Sequence, residues 1–243
     1  MNKLFISNWK MNLAVTESID FSNEISRTIN ENIIKDNIEI IICPPFISIP
    51  YCFQILKSVA KIGAQDISKM NEIKGAYTGE ISAKMISDYA DYVIIGHSER
   101  RTNLKETNQD VSLKGINILK NNMTPILCIG ETEEQRKTGE HISILIDQLN
   151  ESSEGLENKM IVAYEPIWAI GSGNSCNIEQ IIEVSSEVKA LCGNGTPFIY
   201  GGSVNEDNCK ELLYQKEIDG VLVGSASLNL NSFNKMISSM NGD

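Results

Sequence analysis

Two side chains capable of acid–base chemistry follow short apolar runs of the sequence. Glu165 comes directly after one run, and His97 follows another run and a single glycine. A carboxylate beside an apolar wall can be a general base of raised basicity, although a solvent-facing loop acid fits equally well. An imidazole there can polarise a carbonyl, or it can be a core histidine bonded to backbone. Ser98 and Glu99 favour the functional interpretation of His97, whereas His141 lies among polar helical residues and is expected on the surface.

A positive charge and an amide lie close to the amino terminus. Lys10 follows Asn8 and Trp9 at the end of an apolar run. Most lysines are solvated surface charges, so Lys10 becomes a candidate only if the fold places it at a catalytic rim. Asn8, two residues earlier, would share its strand face and could donate an amide hydrogen bond or hold Lys10 in place.

Two turns near the carboxyl terminus combine glycine with serine, as Gly202-Ser203 and Gly224-Ser225. Backbone N–H groups can approach an anion there because no Cβ stands in the way, and a helix amino terminus would assist them. One such turn is more often a plain tight turn, whereas two at consecutive strand ends favour a phosphate site. The sequence contains no P-loop motif, and residues 171–174 lack the third glycine of a dinucleotide fingerprint.

The segment Pro166–Asn177 carries apolar residues between its proline and the two glycines Gly171 and Gly173. Such a loop suits a lid that closes over a substrate and excludes water. A fixed loop with buried apolar anchors would have the same composition. Both interpretations stay open at the level of sequence.

The elements that must position these groups alternate along the chain. Eight β-branched runs are each followed by a longer segment, and several runs are continuously apolar, which is typical of a parallel sheet buried on both faces. Eight units of about thirty residues predict one α/β domain over residues 1–243, a (β/α)8 TIM barrel rather than an open doubly wound sheet. The candidates above would then follow the carboxyl ends of the strands, where barrel active sites lie. The predicted strands are Leu4–Ser7, Ile38–Cys43, Val59–Ala64, Tyr92–Ile95, Pro125–Ile129, Met160–Tyr164, Phe198–Tyr200 and Gly220–Val223, and the clearest helices are Ser18–Ile34, Thr132–Asn150, Ile178–Leu191 and Asn205–Tyr214.

Composition and charge exclude several classes of protein. The 243 residues are 42% hydrophobic and 22% charged, so the chain can bury a core and is not a disordered protein. A net charge of −11 argues against nucleic-acid and anionic membrane partners. No apolar stretch approaches the roughly 20 residues of a membrane span, and the amino terminus lacks a signal-peptide core. Six scattered cysteines without a C-x-x-C pair predict a reducing, cytoplasmic location, and two histidines argue against a metal site.

Six segments in order along almost the whole chain resemble signatures of the triosephosphate isomerase family. One such match would be weak, whereas six in register leave little room for coincidence. The segments are Asn8-Trp9-Lys10-Met11-Asn12, Gly75-Ala76-Tyr77-Thr78-Gly79-Glu80, Gly96-His97-Ser98-Glu99-Arg100-Arg101, Pro125-Ile126-Leu127-Cys128-Ile129-Gly130-Glu131, Tyr164-Glu165-Pro166-Ile167-Trp168-Ala169-Ile170-Gly171 and Tyr200-Gly201-Gly202-Ser203-Val204.

The resemblance implies an isomerase of glycolysis and gluconeogenesis that interconverts dihydroxyacetone phosphate and D-glyceraldehyde 3-phosphate through an enediolate, without cofactor or metal. It implies that Glu165 is the base and that His97 is a neutral imidazole that polarises the carbonyl. Lys10 would supply positive charge for the substrate and the developing oxyanion. Asn8 would donate to substrate oxygens, and Glu99 would support Lys10 and His97.

The resemblance also implies how the phosphate and a second subunit are bound. Backbone N–H groups of Gly171, Ser203, Gly224 and Ser225 would hold the phosphate, with Gly171 joining them when the lid shuts. The family is typically a homodimer in which a loop at about residues 65–79 projects into the partner. Thr78 would thereby reach the partner's Asn8 and the partner's Lys10.

Three positions depart from the usual family pattern. Ser225 stands where a second glycine is common, and Asn174 stands where the lid commonly has a lysine. The approach to the seventh predicted strand, Thr196-Pro197-Phe198, lacks a basic residue often found there. We expect modest effects on affinity or on the lid equilibrium and no change of reaction.

Two other classes of function compete with an isomerase. A sugar-phosphate aldolase would need a Schiff-base lysine at a late strand end, whereas Lys10 follows the first strand, and a metal-dependent epimerase would need more ligands. A binding protein on a decayed isomerase scaffold would be expected to have lost Lys10, His97 or Glu165, and all three are present.

Overall fold

Eight parallel strands close into a barrel in which each strand pairs with the next and the eighth pairs with the first. The computed structural model describes residues 2–32, 38–170 and 176–240. The prediction of a (β/α)8 barrel is confirmed. The strands are β1 (Lys3–Asn8), β2 (Ile38–Cys43), β3 (Lys61–Ala64), β4 (Tyr92–Ile95), β5 (Thr124–Ile129), β6 (Ile161–Tyr164), β7 (Phe198–Tyr200) and β8 (Gly220–Val223).

Helices follow the strands and pack around the barrel. Short 3₁₀ turns at Phe46–Ser48, Ile167–Ala169 and Ser225–Leu228 interrupt three of the connections. Among the described helices, none combines the length and the apolar character needed to cross a bilayer. The α-helices are α1 (Val15–Glu31), α2 (Ile49–Leu56), α3 (Ala83–Ile86), α4 (Ser98–Leu104), α5 (Asn108–Lys120), α6 (Glu133–Lys137), α7 (His141–Ser152), α8 (Ile178–Cys192), α9 (Cys209–Tyr214) and α10 (Leu230–Ser239).

Seven of the eight predicted strands match the structure to within one residue at each end. The strand predicted at Val59–Ala64 begins two residues late, because the N–H groups of Val59 and Ala60 close a turn onto the carbonyl of Leu56. Those two residues therefore end the preceding helix instead of joining the sheet.

The helix predictions were less accurate than the strand predictions. The segment predicted as Thr132–Asn150 is two helices, α6 and α7, and His141 begins the second of them with its side chain mostly buried beside Glu183. The segment predicted as Asn205–Tyr214 becomes helical only at Cys209. The helix predicted at Ser18–Ile34 is described as α1, and its last two predicted residues lie outside the described residues.

Two apolar layers explain why the strands are continuously hydrophobic. Alternate strand residues such as Leu4, Ile6 and Ile41 fill the barrel interior. The residues between them, such as Phe5 and Ile40, pack outward against the helices. Each strand therefore buries both faces, as strands of a helix-covered parallel sheet must.

Candidate active site

Alternation along the strands places several polar residues at the mouth of the barrel. Leu4 and Ile6 point into the interior, and the same alternation continues to Asn8 at the end of β1. The interior positions of β6 and β8 lead in the same way to Glu165 and Gly224. Asn8 and Glu165 are almost fully buried, at 4% and 1% exposure. The strand pattern thus positions these groups without help from the loops.

Glu165 and His97 contact each other directly. Oε1 of Glu165 lies 3.1 Å from Nε2 of His97, and Oε2 accepts a hydrogen bond of 3.0 Å from the backbone N–H of Ser98. The side chain of Cys128 also hydrogen-bonds to Glu165, so the carboxylate is held by one imidazole, one peptide group and one thiol.

The first turn of α4 determines which ring nitrogen of His97 accepts a hydrogen bond and which can donate one. Gly96 has a positive φ of 66°, which turns the chain from β4 so that His97 caps α4. The backbone N–H of Glu99 donates to Nδ1 of His97 at 3.2 Å, so Nδ1 is an acceptor and the proton of the neutral ring lies on Nε2. Nε2 is thereby the ring nitrogen that can donate to Glu165.

Lys10 is held in a strained backbone conformation beside this pair. Its φ is 51°, which costs a non-glycine residue about 1–3 kcal/mol and persists only where the surroundings enforce it. Its N–H donates to Oδ1 of Asn8 at 3.0 Å, and its carbonyl accepts from Nε2 of Gln65 at 2.8 Å. Nζ lies 2.5 Å from Oε1 of Glu99. The amide oxygen of Asn8 accepts this backbone hydrogen bond, which leaves its amide nitrogen as the group able to donate to a ligand.

A single cavity at the barrel mouth collects most of the predicted site residues. The turns after β7 and β8 line the same cavity as His97 and Glu165, so the predicted phosphate end and the predicted acid–base end share this space. Ser98 and Glu99 lie beside His97, whereas Thr78 lies on an exposed loop elsewhere in this chain. Gly171, Gly173 and Asn174 lie outside the described residues. The cavity is lined by Asn8, Lys10, His97, Glu165, Ile170, Gly201, Gly202, Ser203, Val204, Leu222, Gly224 and Ser225.

A second buried carboxylate anchors the start of the predicted lid. Glu131 has no exposed surface, and its Oε1 accepts from Arg136 at 2.7 Å and from Tyr164 and Trp168 at 3.0 Å. Burial and the Glu131 carboxylate raise the pKa of the Tyr164 hydroxyl, so it stays protonated and donates. At the other end of the segment, the N–H of Cys176 donates to the hydroxyl of Tyr200 at 3.4 Å. Both described ends of the segment are therefore fixed by side chains.

Several contributing residues were missed at the level of sequence. Gln65 bridges the carbonyls of Lys10 and Cys43, and Glu131 had suggested no chemistry. Both residues follow predicted strand ends, which was the available signal, but their partners are distant in sequence. Among the described residues, no cluster of three His, Cys, Asp or Glu side chains is arranged as a metal site would need.

Comparison with known proteins gives a consistent result. The family model described as triosephosphate isomerase matches residues 3–240. A triosephosphate isomerase from Mesomycoplasma hyopneumoniae (strain 7448) is 41% identical over 98% of this chain and 99% of its own length. Those of Mycoplasma mobile and Trichodesmium erythraeum are 40% and 38% identical, over 97% and 98% of this chain and 98% and 99% of their own lengths.

Proposed function

The chain belongs to the triosephosphate isomerase family and interconverts dihydroxyacetone phosphate and D-glyceraldehyde 3-phosphate; we propose that Glu165, His97, Lys10 and Asn8 perform this reaction. The observation that carries the proposal is the 3.1 Å contact between Glu165 and His97 in the cavity that also contains the glycine-serine turns. The family assignment decides against the aldolase, the epimerase and the non-enzymatic alternatives.

Glu165 acts as the base toward carbon. Its carboxylate removes a proton from C1 of dihydroxyacetone phosphate, and the electrons of that C–H bond form the C1–C2 double bond of an enediolate. The same carboxyl group then returns the proton to C2, which yields the aldehyde at C1 and a hydroxyl at C2. The carboxylate is almost fully buried at the mouth of the barrel, beside the cavity in which the substrate is bound. Bound substrate must replace the contact between Glu165 and His97, because Oε1 of Glu165 and Nε2 of His97 cannot contact each other and the substrate in the same way at once.

His97 moves protons between the two substrate oxygens. Its Nε2–H donates to O2 as negative charge develops there, and the ring then accepts the proton of the O1 hydroxyl. A neutral ring suits this role, because the hydrogen bond from Glu99 to Nδ1 is lost if Nδ1 is protonated. No cofactor is needed for either transfer.

Lys10 and Asn8 stabilise the negative charge of the intermediate. The ammonium group of Lys10 is paired with Glu99, and we propose that the substrate draws it toward the enediolate oxygen and the phosphate. Asn8 donates from its amide nitrogen. The backbone N–H groups of Ser203, Gly224 and Ser225 hold the phosphate, and Gly171 joins them when the lid is shut.

A homodimer is the second part of the proposal. Among the described residues from the end of β1 to the end of α4, seven large apolar side chains are exposed, and they follow four strands that are neighbours around the barrel. An apolar surface of this kind marks an interface between proteins. Thr78 lies on the same rim and would reach the partner's Asn8 and the partner's Lys10. The seven residues are Met11, Ile47, Tyr51, Ile73, Tyr77, Met85 and Leu104.

Light scattering tests the dimer, with an expected mass near twice 26.9 kDa. A monomer that retains full activity at low concentration would contradict it. We further propose one domain over residues 1–243 in the cytoplasm, with no nucleic-acid or membrane partner. The pairing of β1 with β8 supports a single domain, and the six unpaired, buried cysteines fit a reducing compartment.

The catalytic proposal is tested by assaying purified protein with each triose phosphate beside the Glu165→Gln variant. Loss of a general base lowers turnover by about 10²–10⁴-fold, and we expect a loss in that range. A folded variant that turns over as fast as the unchanged protein would remove Glu165 from the mechanism.

A further inference from the structure

A partly buried guanidinium connects the strand ends that carry the acid–base pair. Arg101, in α4, donates from Nε to the carbonyl of Gly96 at 2.7 Å and from Nη2 to the carbonyl of Cys128 at 3.3 Å. Its other contacts are Oδ1 of Asn108 at 2.5 Å and Oγ of Ser152 at 3.1 Å. One side chain thus joins the carboxyl ends of β4 and β5.

These two carbonyls belong to the backbone that carries the reacting groups. Gly96 immediately precedes His97, and a Cβ at Gly96 would lie 2.8 Å from Nη2 of Arg101, so the guanidinium packs directly against that peptide. Cys128 is followed by Ile129, whose carbonyl accepts the N–H of Glu165 at 2.7 Å. The separation between His97 and Glu165 therefore depends on the two strand ends that Arg101 connects.

Arg101 differs from its neighbour Arg100 in the charge of its hydrogen-bond partners. Arg100 contacts the carboxylates of Asp66 and Glu106, whereas the hydrogen-bond partners of Arg101 given above are all neutral. Burial lowers the pKa of the Arg101 guanidinium, and the surrounding acids, Glu165 among them, oppose that shift without touching it. Burying a cation without a bonded anion costs free energy, so charge pairing does not explain the position of Arg101. Its hydrogen bonds to the two backbone carbonyls do.

We propose that Arg101 is a positioning residue for proton transfer, which holds the ends of β4 and β5 so that Nε2 of His97 and Oε1 of Glu165 face the same substrate. This inference rests on the proposed roles of His97 and Glu165. Arg101 does not line the substrate cavity, so it acts through the two backbone carbonyls rather than by contact with the substrate.

The test compares Arg101→Met and Arg101→Lys with Ser152→Ala, which removes one Arg101 contact but touches neither strand end. Misplacement of reacting groups by about 1 Å costs roughly 10²-fold in rate, and we expect a loss of that order in kcat for Arg101→Met. KM and the inhibition by inorganic phosphate should stay close to those of the unchanged protein, because phosphate binds the turns after β7 and β8. The kcat of Arg101→Lys should lie between those of Arg101→Met and the unchanged protein. Ser152→Ala should retain the kcat of the unchanged protein.

The kinetics of the folded variants decide whether Arg101 has this role. A selective fall in kcat supports the proposal, and partial recovery of Arg101→Met activity on addition of guanidinium ion supports it further. An unchanged kcat in folded Arg101→Met overturns it, as does a loss in which KM and phosphate inhibition change together with kcat. Should Arg101→Met fail to fold, the same split between kcat and phosphate inhibition in Arg101→Lys decides.

The Glu165→Gln variant separates this inference from the proposed function. Full activity of Glu165→Gln would show that the proposed acid–base pair is wrong. An inactive Glu165→Gln beside a fully active Arg101→Met would overturn the role of Arg101 alone.

Discussion

Two buried carboxylates at neighbouring strand ends have opposite surroundings. Glu131, after β5, accepts from Arg136, Tyr164 and Trp168, so a cation neutralises it. Glu165, after β6, contacts His97, one backbone N–H and the thiol of Cys128, none of which is a lysine or an arginine. Both are almost without exposed surface. Burial alone therefore does not distinguish the two roles; the bonded Arg136 makes Glu131 an anchor, whereas Glu165 faces the substrate cavity.

The largest expected effect is a loss of stability when Glu131, the anchor, is replaced. Glu131→Gln leaves Arg136 without its buried partner, and we expect a loss of about 3 kcal/mol in the free energy of unfolding. Urea denaturation measures it, with Glu133→Gln as the control, because the exposed pair of Glu133 and Lys137 contributes at most about 1 kcal/mol. Equal stability of Glu131→Gln and Glu133→Gln would show that Glu131 is not an anchor.

The second prediction concerns Lys10, a cation that lines the same cavity as the base. Lys10 contacts Glu99 rather than Glu165, so its charge is available to the substrate. Lys10→Met should lower kcat/KM by about 10²–10³-fold, as expected for removal of a group that stabilises an oxyanion. Lys61→Met, which alters a surface ion pair at the start of β3, is the matched control. A loss of less than tenfold in Lys10→Met would mean that Lys10 is only a surface charge.

The third prediction uses two glycines that contact Glu165. A Cβ at Gly130 would lie 1.9 Å from the carbonyl oxygen of Glu165, whereas a Cβ at Gly201 would lie 3.1 Å from its side-chain Cγ. Gly130→Ala should therefore destabilise the fold by about 1–3 kcal/mol. Gly201→Ala should displace only the side chain and lower kcat by about tenfold. Gly195→Ala, which has open space around its Cβ, is the control for both.

Urea denaturation and steady-state kinetics on the same samples distinguish the two glycines. If Gly201→Ala lost stability and kept kcat, the observed position of the Glu165 side chain would not be required for turnover.

The smallest expected effect lies at the phosphate end. Ser225 is exposed and its backbone N–H is unaffected by a change of side chain. Ser225→Gly should therefore change KM and inhibition by inorganic phosphate by about 0.5 kcal/mol, roughly twofold. A change of tenfold or more would assign the serine hydroxyl a direct part in phosphate binding.

The strands and the strand-end residues were predictable because local pattern encodes them. A strand buried on both faces must be apolar throughout, and alternation then decides that Asn8, Glu165 and Gly224 share the interior side. Helix limits were harder, as the break between α6 and α7 shows, because the polar residues around Gly139 are compatible with a continuous helix.

The partners of buried polar groups were not predictable from the sequence. Glu131 and Glu165 both follow apolar strands, and only the side-by-side pairing of β4, β5 and β6 brings Trp168 to one and His97 to the other. The same is true of Gln65, whose two acceptors lie on β2 and after β1. Such contacts join residues tens of positions apart and leave no local pattern.

Exchange of the substrate's carbon-bound hydrogen with solvent tests the central claim most directly. In D₂O, proton NMR follows the loss of the C1 hydrogen signal of dihydroxyacetone phosphate for the unchanged protein, Glu165→Gln and Glu131→Gln. We predict rapid exchange for the unchanged protein, exchange slowed by about 10²-fold or more for Glu165→Gln, and retained exchange for folded Glu131→Gln. Exchange by Glu165→Gln at the rate of the unchanged protein would contradict the assignment of Glu165 as the base.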